Sequence, residues 1–128
     1  MQLRTHLWID TSLSGQVVEL SEGYAKLTLK TDERMVADEY GLVHGGFIFS
    51  LADFCAMAVV NEPTVVLAKA SISFIKPVRV GDVLFAEGRL TASEGKKRFV
   101  KVEVFRGEEK VAEGDFLCVV PQKHVLSQ

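Results

Sequence analysis

The chain has 128 residues, of which 48% are hydrophobic and 25% are charged, and its formal net charge at pH 7 is −2. This length fits one domain, and the composition is that of a globular protein. The charge gives no electrostatic argument for a nucleic-acid or a membrane partner. No signal-peptide pattern opens the sequence, because Arg4 is followed by the polar Thr5 and His6. We therefore predict a cytoplasmic protein.

The two cysteines, Cys55 and Cys118, both lie in apolar runs. They are too few and too far apart for a disulfide framework or a metal site, so we predict buried free thiols. The histidines are also far apart and form no cluster with metal-ligand spacing (His6, His44 and His124). We predict neither a metal nor a cofactor.

The first part of the chain predicts a lead-in followed by two strands. Residues 1–14 mix apolar and polar side chains, and we expect an irregular or helical segment that packs Trp8 on the rest of the protein. Strands are predicted over 16–20 and 24–30, joined by a short turn that contains Gly23. Residues 31–42 are polar and acidic and are predicted to be a loop.

Residues 43–61 form the longest apolar stretch of the sequence, and only one charge, Asp53, lies within it. Glu62 and Pro63 follow and would end a helix. A helix that is apolar almost all round belongs in a core, and this one is too short and interrupted to cross a bilayer. We predict a helix that begins near Gly45 and is buried against a sheet.

After the helix, the pattern predicts strands over 65–75, 83–92, 99–105 and 111–120. The last three are separated by turns at 93–96 and 106–109, and a polar tail covers 121–128. The predicted fold class is α+β, an antiparallel sheet wrapped around one long helix. Such a sheet leaves an edge strand uncovered, which natural proteins commonly pair by forming homo-oligomers.

Burying an unpaired carboxylate costs several kcal/mol or raises its pKa until the group is neutral, so a charge inside this helix calls for an explanation. At helical spacing, Asp53 shares one stripe with four other residues, which we predict to face a cleft: Gly46, Ser50, Met57 and Asn61. The alternative is that Asp53 lies at the helix edge, in solvent or paired with a lysine.

Three motifs together resemble the hotdog-fold acyl-CoA thioesterases, and most of all the phenylacetic-acid-degradation (PaaI) type. They are Val-His-Gly-Gly at 43–46, Leu-Ala-Asp at 51–53, and Phe-Ile-Lys-Pro-Val-Arg-Val-Gly-Asp at 74–82. The resemblance covers residues 13–121. It implies a single hotdog domain over 1–128 that assembles as a homodimer or as a dimer of dimers, a homotetramer.

The spacing of Gly45 and Asp53 restricts how they can cooperate. In a helix that rises about 1.5 Å per residue they lie roughly 12 Å apart, too far to contact one carbonyl group together. The resemblance implies that two antiparallel copies bring Gly45 of one subunit beside Asp53 of the other.

The catalytic candidates are Asp53, Gly45 and His44. The unpaired N–H of Gly45 at the helix start would polarise the thioester carbonyl. Asp53 would act as a general base on water or attack the carbonyl itself. The resemblance assigns His44 an orienting role through hydrogen bonds, and the alternative is a helix-terminal residue satisfied by the backbone.

The substrate-binding candidates line the helix stripe or replace polar residues of many relatives. Asp38 stands where many relatives carry Asn or Gln, and Met57 stands where several carry Ser or Thr. Other relatives carry Ser or Thr in the strand after the helix, at the position of Leu67, and Ser71 is one of the two strand hydroxyls nearest to it. Gly46 and Phe54 complete this set. A site for coenzyme A should include cations that contact its phosphates. The candidates, each of which has solvated surface charge as its alternative role, are Lys76, Arg79, Lys96, Lys97 and Arg98.

We therefore predict an acyl-CoA thioesterase for small-to-medium acyl or aryl groups, with coenzyme A entering only as part of the substrate. The main alternative is a non-catalytic acyl-CoA-binding hotdog module. Hydratase or dehydratase action is less favoured, because the glycine pair after His44 replaces the bulkier loops of those relatives.

Overall fold

The computed structural model describes residues 1–127, and within them the chain forms two α-helices and six β-strands. The bounds are α1 (Thr11–Ser14), β1 (Gln16–Ser21), β2 (Tyr24–Lys30), α2 (Gly45–Val60), β3 (Val66–Phe74), β4 (Val83–Glu94), β5 (Lys97–Arg106) and β6 (Glu109–Val119). A single 3-10 turn, Glu33–Met35, precedes α2. No helix within residues 1–127 is long and apolar enough to cross a membrane.

The strands form one six-stranded sheet in the order β1-β2-β4-β5-β6-β3. Every neighbouring pair is antiparallel. The first and third strands are therefore the two edges, and β3 pairs with β6 alone. The predicted fold class, an antiparallel sheet wrapped around one long helix, is confirmed.

The core lies between the concave face of this sheet and α2, as the apolar character of the helix predicts. At Gly88 in β4, an added Cβ would lie 2.7 Å from Cγ2 of Val59 and 3.0 Å from Sγ of Cys55. A glycine is needed there because the strand and the helix approach each other closely. Cys55 and Cys118 are buried and free, as predicted.

The N-terminal segment, residues 2–14, lies along the side of α2. Asn61 accepts a hydrogen bond from the Arg4 N–H at 2.7 Å and donates one to the Gln2 carbonyl at 2.9 Å. At the other end of the segment, the hydroxyls of Ser14 and Ser50 are 2.7 Å apart. The segment therefore covers the helix from its last turn back to its second.

Trp8 is fully exposed, so the prediction that it packs on the rest of the protein was wrong. Its neighbour Ile9 and the following Leu13 pack against the core instead. Between them, Asp10 caps α1 by accepting the Ser12 N–H at 2.9 Å. Because this cap and the two aliphatic contacts fix the segment, the indole is left on the outer side of the turn.

Strands β4, β5 and β6 reach further into their connecting turns than predicted. The turns contain two residues each, and both place a glycine first, Gly95 at φ +58° and Gly107 at φ +60°. Glycine adopts this left-handed conformation without steric cost, so the chain reverses in the shortest loop. The pairs Glu94–Lys97 and Arg106–Glu109 then stay in the ladder.

Candidate active site

The start of α2 presents two backbone donors that no other group uses. The loop before it is fixed by hydrogen bonds from the Val43 N–H to the Val78 carbonyl and from the His44 N–H to the Met35 carbonyl, both 2.9 Å. The helix begins at Gly45, as predicted. Within residues 1–127, the N–H groups of Gly45 and Gly46 donate to no protein acceptor. With the helix dipole behind them, they favour a partly negative oxygen.

Two aromatic rings flank this glycine pair. An added Cβ on Gly45 would lie 3.4 Å from Cε1 of Phe74, at the end of β3. An added Cβ on Gly46 would lie 2.9 Å from Nε2 of His44. A Cβ on Gly46 would therefore crowd the His44 ring, whereas one on Gly45 would make an ordinary contact with Phe74. The free N–H groups lie beside these two rings. The sequence motif contains Phe74, but its place beside Gly45 depends on the β3–β6 register and was not predicted.

Asp53 lies at the middle of α2, on a facet that the chain leaves partly open. Half-buried residues mark this open facet of α2: Phe49, Asp53 and Val60. The ring of Phe49 packs on Phe116 of β6, with centroids 5.9 Å apart, so the facet faces the side of the sheet where β3 is the edge.

The Asp53 carboxyl is poorly solvated and unpaired. Its Oδ1 is buried and has no hydrogen-bond partner within residues 1–127. Burial raises the pKa of Asp53 to about 6, because the charged form loses solvation that nothing replaces. Burial also raises the pKa of the Cys118 thiol in β6 to about 12, with a smaller contribution from the Asp53 charge.

The predicted stripe does not face one cleft. Ser50 and Asn61 are covered by the N-terminal segment, and Met57 is fully buried in the core. Asp53 alone of these longer side chains lies on the open facet. At 3.6 residues per turn it is rotated by about 60° from Ser50, which is enough to take it past the edge of the covered side.

The predicted substrate-binding residues occupy different surroundings. Phe54 and Met57 are in the core, with the His6 ring stacked on Phe54 at 6.3 Å, so neither lines an open cleft of a single chain. Asp38 is exposed, and its Oδ1 accepts the N–H groups of Tyr40 and Leu42 at 2.9 and 3.2 Å. Its carboxylate therefore shapes the loop before α2.

Ser71 lies on the outer face of the sheet, so the structure separates it from the helix. Residues alternate between the two faces of a strand, and Ile72, the next residue in β3, packs against the core. The partner of Ser71 in β6 is the exposed Asp115. We therefore remove Ser71 from the site of its own chain.

The cationic side chains predicted to contact coenzyme A differ in whether other protein groups already pair with them. Lys76 forms an ion pair with Glu109 at 3.7 Å. Arg98 donates to the carbonyls of Gly95 and Lys97 at 2.7 and 2.9 Å, inside its own hairpin. The other three side chains are exposed and form no ion pair within residues 1–127: Arg79, Lys96 and Lys97.

A curved antiparallel sheet around one long helix, with a glycine pair at the helix start, defines the hotdog class of protein. The family model of the Thioesterase superfamily matches residues 40–113. This segment runs from the loop before α2 to β6 and includes both Gly45 and Asp53. The chain belongs to the thioesterase superfamily, and the resemblance to hotdog thioesterases is confirmed.

Two relatives are longer proteins, and this chain matches only a part of each. A methylthioribose-1-phosphate isomerase of Aquifex aeolicus is 55% identical over 119 residues, which are 93% of this chain and 26% of the relative. The transcription factor FapR of Caldanaerobacter subterraneus is 29% identical over 115 residues, 89% of this chain and 58% of the relative. The chain thus spans about a quarter of the first protein and under two thirds of the second.

Two solved structures match nearly the whole fold. An uncharacterized protein of Pyrococcus horikoshii is 51% identical with a TM-score of 0.98, and the match covers 99% of this chain and 98% of that chain. A Streptococcus mutans protein bound to acetyl-CoA is 27% identical with a TM-score of 0.81, and the match covers 94% and 99% of the two chains.

Proposed function

We propose that the chain is an acyl-CoA thioesterase for small-to-medium acyl or aryl groups, with each active site formed by two copies. One observation carries the proposal. Within residues 1–127, Asp53 holds a carboxylate oxygen that is buried without a partner, on a partly open facet of α2. Burial raises the pKa of this carboxyl to about 6, and side chains with such shifted pKa values are common at catalytic sites.

A second copy is needed because one helix cannot bring the two groups together. Gly45 and Asp53 are separated by about two turns, roughly 12 Å along the axis. The free edge of β3 offers a place for the partner, and Phe74 and Ile75 beside it are 53% and 45% exposed. Antiparallel pairing of two β3 edges would set the two α2 helices side by side in opposite directions.

The chemistry follows from the two groups. The thioester oxygen accepts the Gly45 N–H of one subunit, which stabilises the negative charge that forms as the carbonyl is attacked. Asp53 of the other subunit takes a proton from water, and the oxygen of that water bonds to the carbonyl carbon; alternatively, the carboxylate attacks this carbon directly. The carbon–sulfur bond then breaks, and the coenzyme A thiolate leaves and takes a proton, which in the first route is the one held by Asp53. In the second route, water hydrolyses the mixed anhydride left on Asp53, which releases the carboxylic acid and restores the carboxylate.

His44 has a positioning role in this proposal. Its backbone N–H fixes the loop to Met35, and its ring stands edge-on to Phe47, with centroids 6.2 Å apart, beside Gly46. The coenzyme A phosphates would meet the exposed, unpaired Arg79, Lys96 and Lys97 first, with Lys76 and Arg98 as weaker contributors because protein groups already engage them.

The direct test is free-thiol release from a panel of acyl-CoAs, from acetyl to long-chain and phenylacetyl thioesters. Loss of a positioned general base lowers kcat by about 10²–10⁴-fold, which is what we expect for Asp53→Ala. Asp115→Ala is the matched control, because Asp115 is exposed on the outer face of the sheet. Turnover that survives in Asp53→Ala would contradict the proposal.

The pH profile of the wild type gives a second readout. Asp53 acts as the carboxylate, and its pKa is raised to about 6 by burial. We therefore expect kcat/KM to fall as the pH drops through about 6, well above the ordinary range of an aspartate.

The second candidate is a non-catalytic acyl-CoA-binding module. It is favoured by the similarity to FapR, which is a transcription factor. Saturable binding of an acyl-CoA, with no thiol release from any member of the panel, would establish this function instead.

A further inference from the structure

The ring of Phe74 lies beside Gly45, close enough that a side chain added there would contact it. A Cβ on Gly45 would be 3.4 Å from Cε1, 3.5 Å from Cζ and 3.9 Å from Cδ1 of this ring. These three atoms are consecutive in the ring, so one edge of the ring lies beside the glycine. The free N–H of Gly45 therefore opens next to an aromatic surface.

The backbone behind this ring is fixed, although the ring itself is uncovered. The N–H groups of Ile75 and Lys76 both donate to the Val111 carbonyl, at 2.7 and 3.1 Å. Phe74 pairs with the buried Ala112 of β6, and yet its side chain is 53% exposed. A large apolar side chain that stays exposed beside the unpaired N–H of Gly45 is suited to contact a ligand.

We infer that Phe74 is a specificity-determining residue whose ring forms the wall for the acyl carbons next to the thioester carbonyl. This inference rests on the proposed function. An oxygen that accepts the Gly45 N–H places its carbonyl carbon, and the α-carbon after it, against the ring. Straight acyl chains and flat aryl groups pack along such a wall, whereas a branch at the α-carbon collides with it.

A purely structural role for Phe74 makes a different prediction. A ring that only filled space between two copies would affect all acyl groups by one common factor. A wall changes the ratio between acyl groups, because its removal relieves the collision with branched chains and removes packing from straight ones. The ratio of affinities therefore separates the two roles.

The test uses ketone analogues of acyl-CoA, in which a methylene replaces the thioester sulfur so that the carbonyl is kept without hydrolysis. Binding of straight-chain and α-branched analogues is measured by calorimetry for the wild type, Phe74→Ala and Phe74→Tyr, together with hydrolysis of the matching thioesters. A change of one or two carbons in an apolar site is worth about tenfold or more. We expect Phe74→Ala to reduce the preference for straight chains by about tenfold, and Phe74→Tyr to keep it.

Phe85→Ala is the matched control, because Phe85 is a half-buried ring on the outer face of β4 and should leave the ratio unchanged. The inference is overturned if the wild type shows no preference, if Phe74→Ala keeps the wild-type ratio, or if it weakens all analogues equally. Wild-type protein that binds no analogue would overturn the proposed function as well, whereas wild-type binding and hydrolysis with an unchanged ratio would overturn the role of Phe74 alone.

Discussion

The two sides of α2 differ in whether their buried polar atoms have hydrogen-bond partners. On the covered side, Asn61 is only 7% exposed, and its amide pairs with Arg4 and Gln2 of the N-terminal segment. On the open facet, Asp53 keeps a buried oxygen that nothing pairs within residues 1–127. One buried polar group is satisfied by its own chain, and the other is not.

This difference separates a polar residue that supports the fold from the carboxylate that we propose as a catalytic group. A satisfied buried amide contributes to stability, whereas an unsatisfied buried carboxylate lowers it. A fold retains such a cost most readily where the charged group performs a function. The comparison predicts that substitutions on the two sides change stability in opposite directions.

The largest stability effect is expected at Asn61. Replacement by alanine removes two hydrogen bonds and leaves partly buried backbone groups unpaired, and it places alanine at φ +50°. We expect Asn61→Ala to lower the free energy of unfolding by about 2–3 kcal/mol. Chemical denaturation measures this loss, and Asn61→Gly separates the backbone contribution from the hydrogen bonds. Activity per folded molecule should not change, and a fall in kcat would contradict the distinction between the two sides.

A smaller effect of opposite sign is expected at Asp53. Because burial raises its pKa from 3.8 to about 6 in the folded chain, the folded state binds the proton more tightly than the unfolded state. Stability therefore decreases as pH rises from about 4 to about 6, and the penalty is complete above that. We expect Asp53→Asn to stabilise the protein above this window by about 1–2 kcal/mol, a value reduced for partial solvent screening.

Denaturation of the Asp53→Asn variant and the wild type across the acid range checks this sign. The two curves should converge towards low pH, where the wild-type carboxyl is also neutral. A variant that is less stable than the wild type at neutral pH would mean that the carboxylate has a favourable partner in the assembled protein.

The smallest effect is expected at Ser50. Its hydroxyl pairs with that of Ser14 at 2.7 Å, and both partners are small. We expect Ser50→Ala to cost about 1 kcal/mol in unfolding free energy with kcat unchanged. A serine that belonged to the site, as the predicted stripe implied, would instead lower kcat without a change in the denaturation midpoint.

The sequence predicted the fold well because the signals were local. The apolar run with Gly45 at its start and Pro63 after its end defined α2, and alternation defined the strands to within a few residues. Helical spacing alone could not show which face of α2 is open. That depends on the N-terminal segment, which pairs Asn61 with residues nearly sixty positions earlier in the chain.

The same limit applies to the site residues. Asp53, Gly45 and His44 could be proposed from the sequence because they lie in or beside the helix itself. Ser71 was placed with them because its strand pattern did not reveal which face of the sheet it occupies. Phe74 became visible beside Gly45 only through the pairing of β3 with β6.

The central claim is that Gly45 of one copy works with Asp53 of another, and mixed oligomers test it most directly. Gly45→Pro removes the proposed N–H donor, and proline suits the first helical position, because His44 before it is extended (φ −61°, ψ 132°). Gly45→Ala, which keeps the N–H, is the matched control.

Gly45→Pro and Asp53→Ala should each be inactive alone. Co-expressed with two different affinity tags, they form mixed dimers in which one of the two sites has both groups intact. Purified mixed dimers should recover about half of the wild-type activity. Mixed dimers that form but stay inactive would contradict a site shared between two copies.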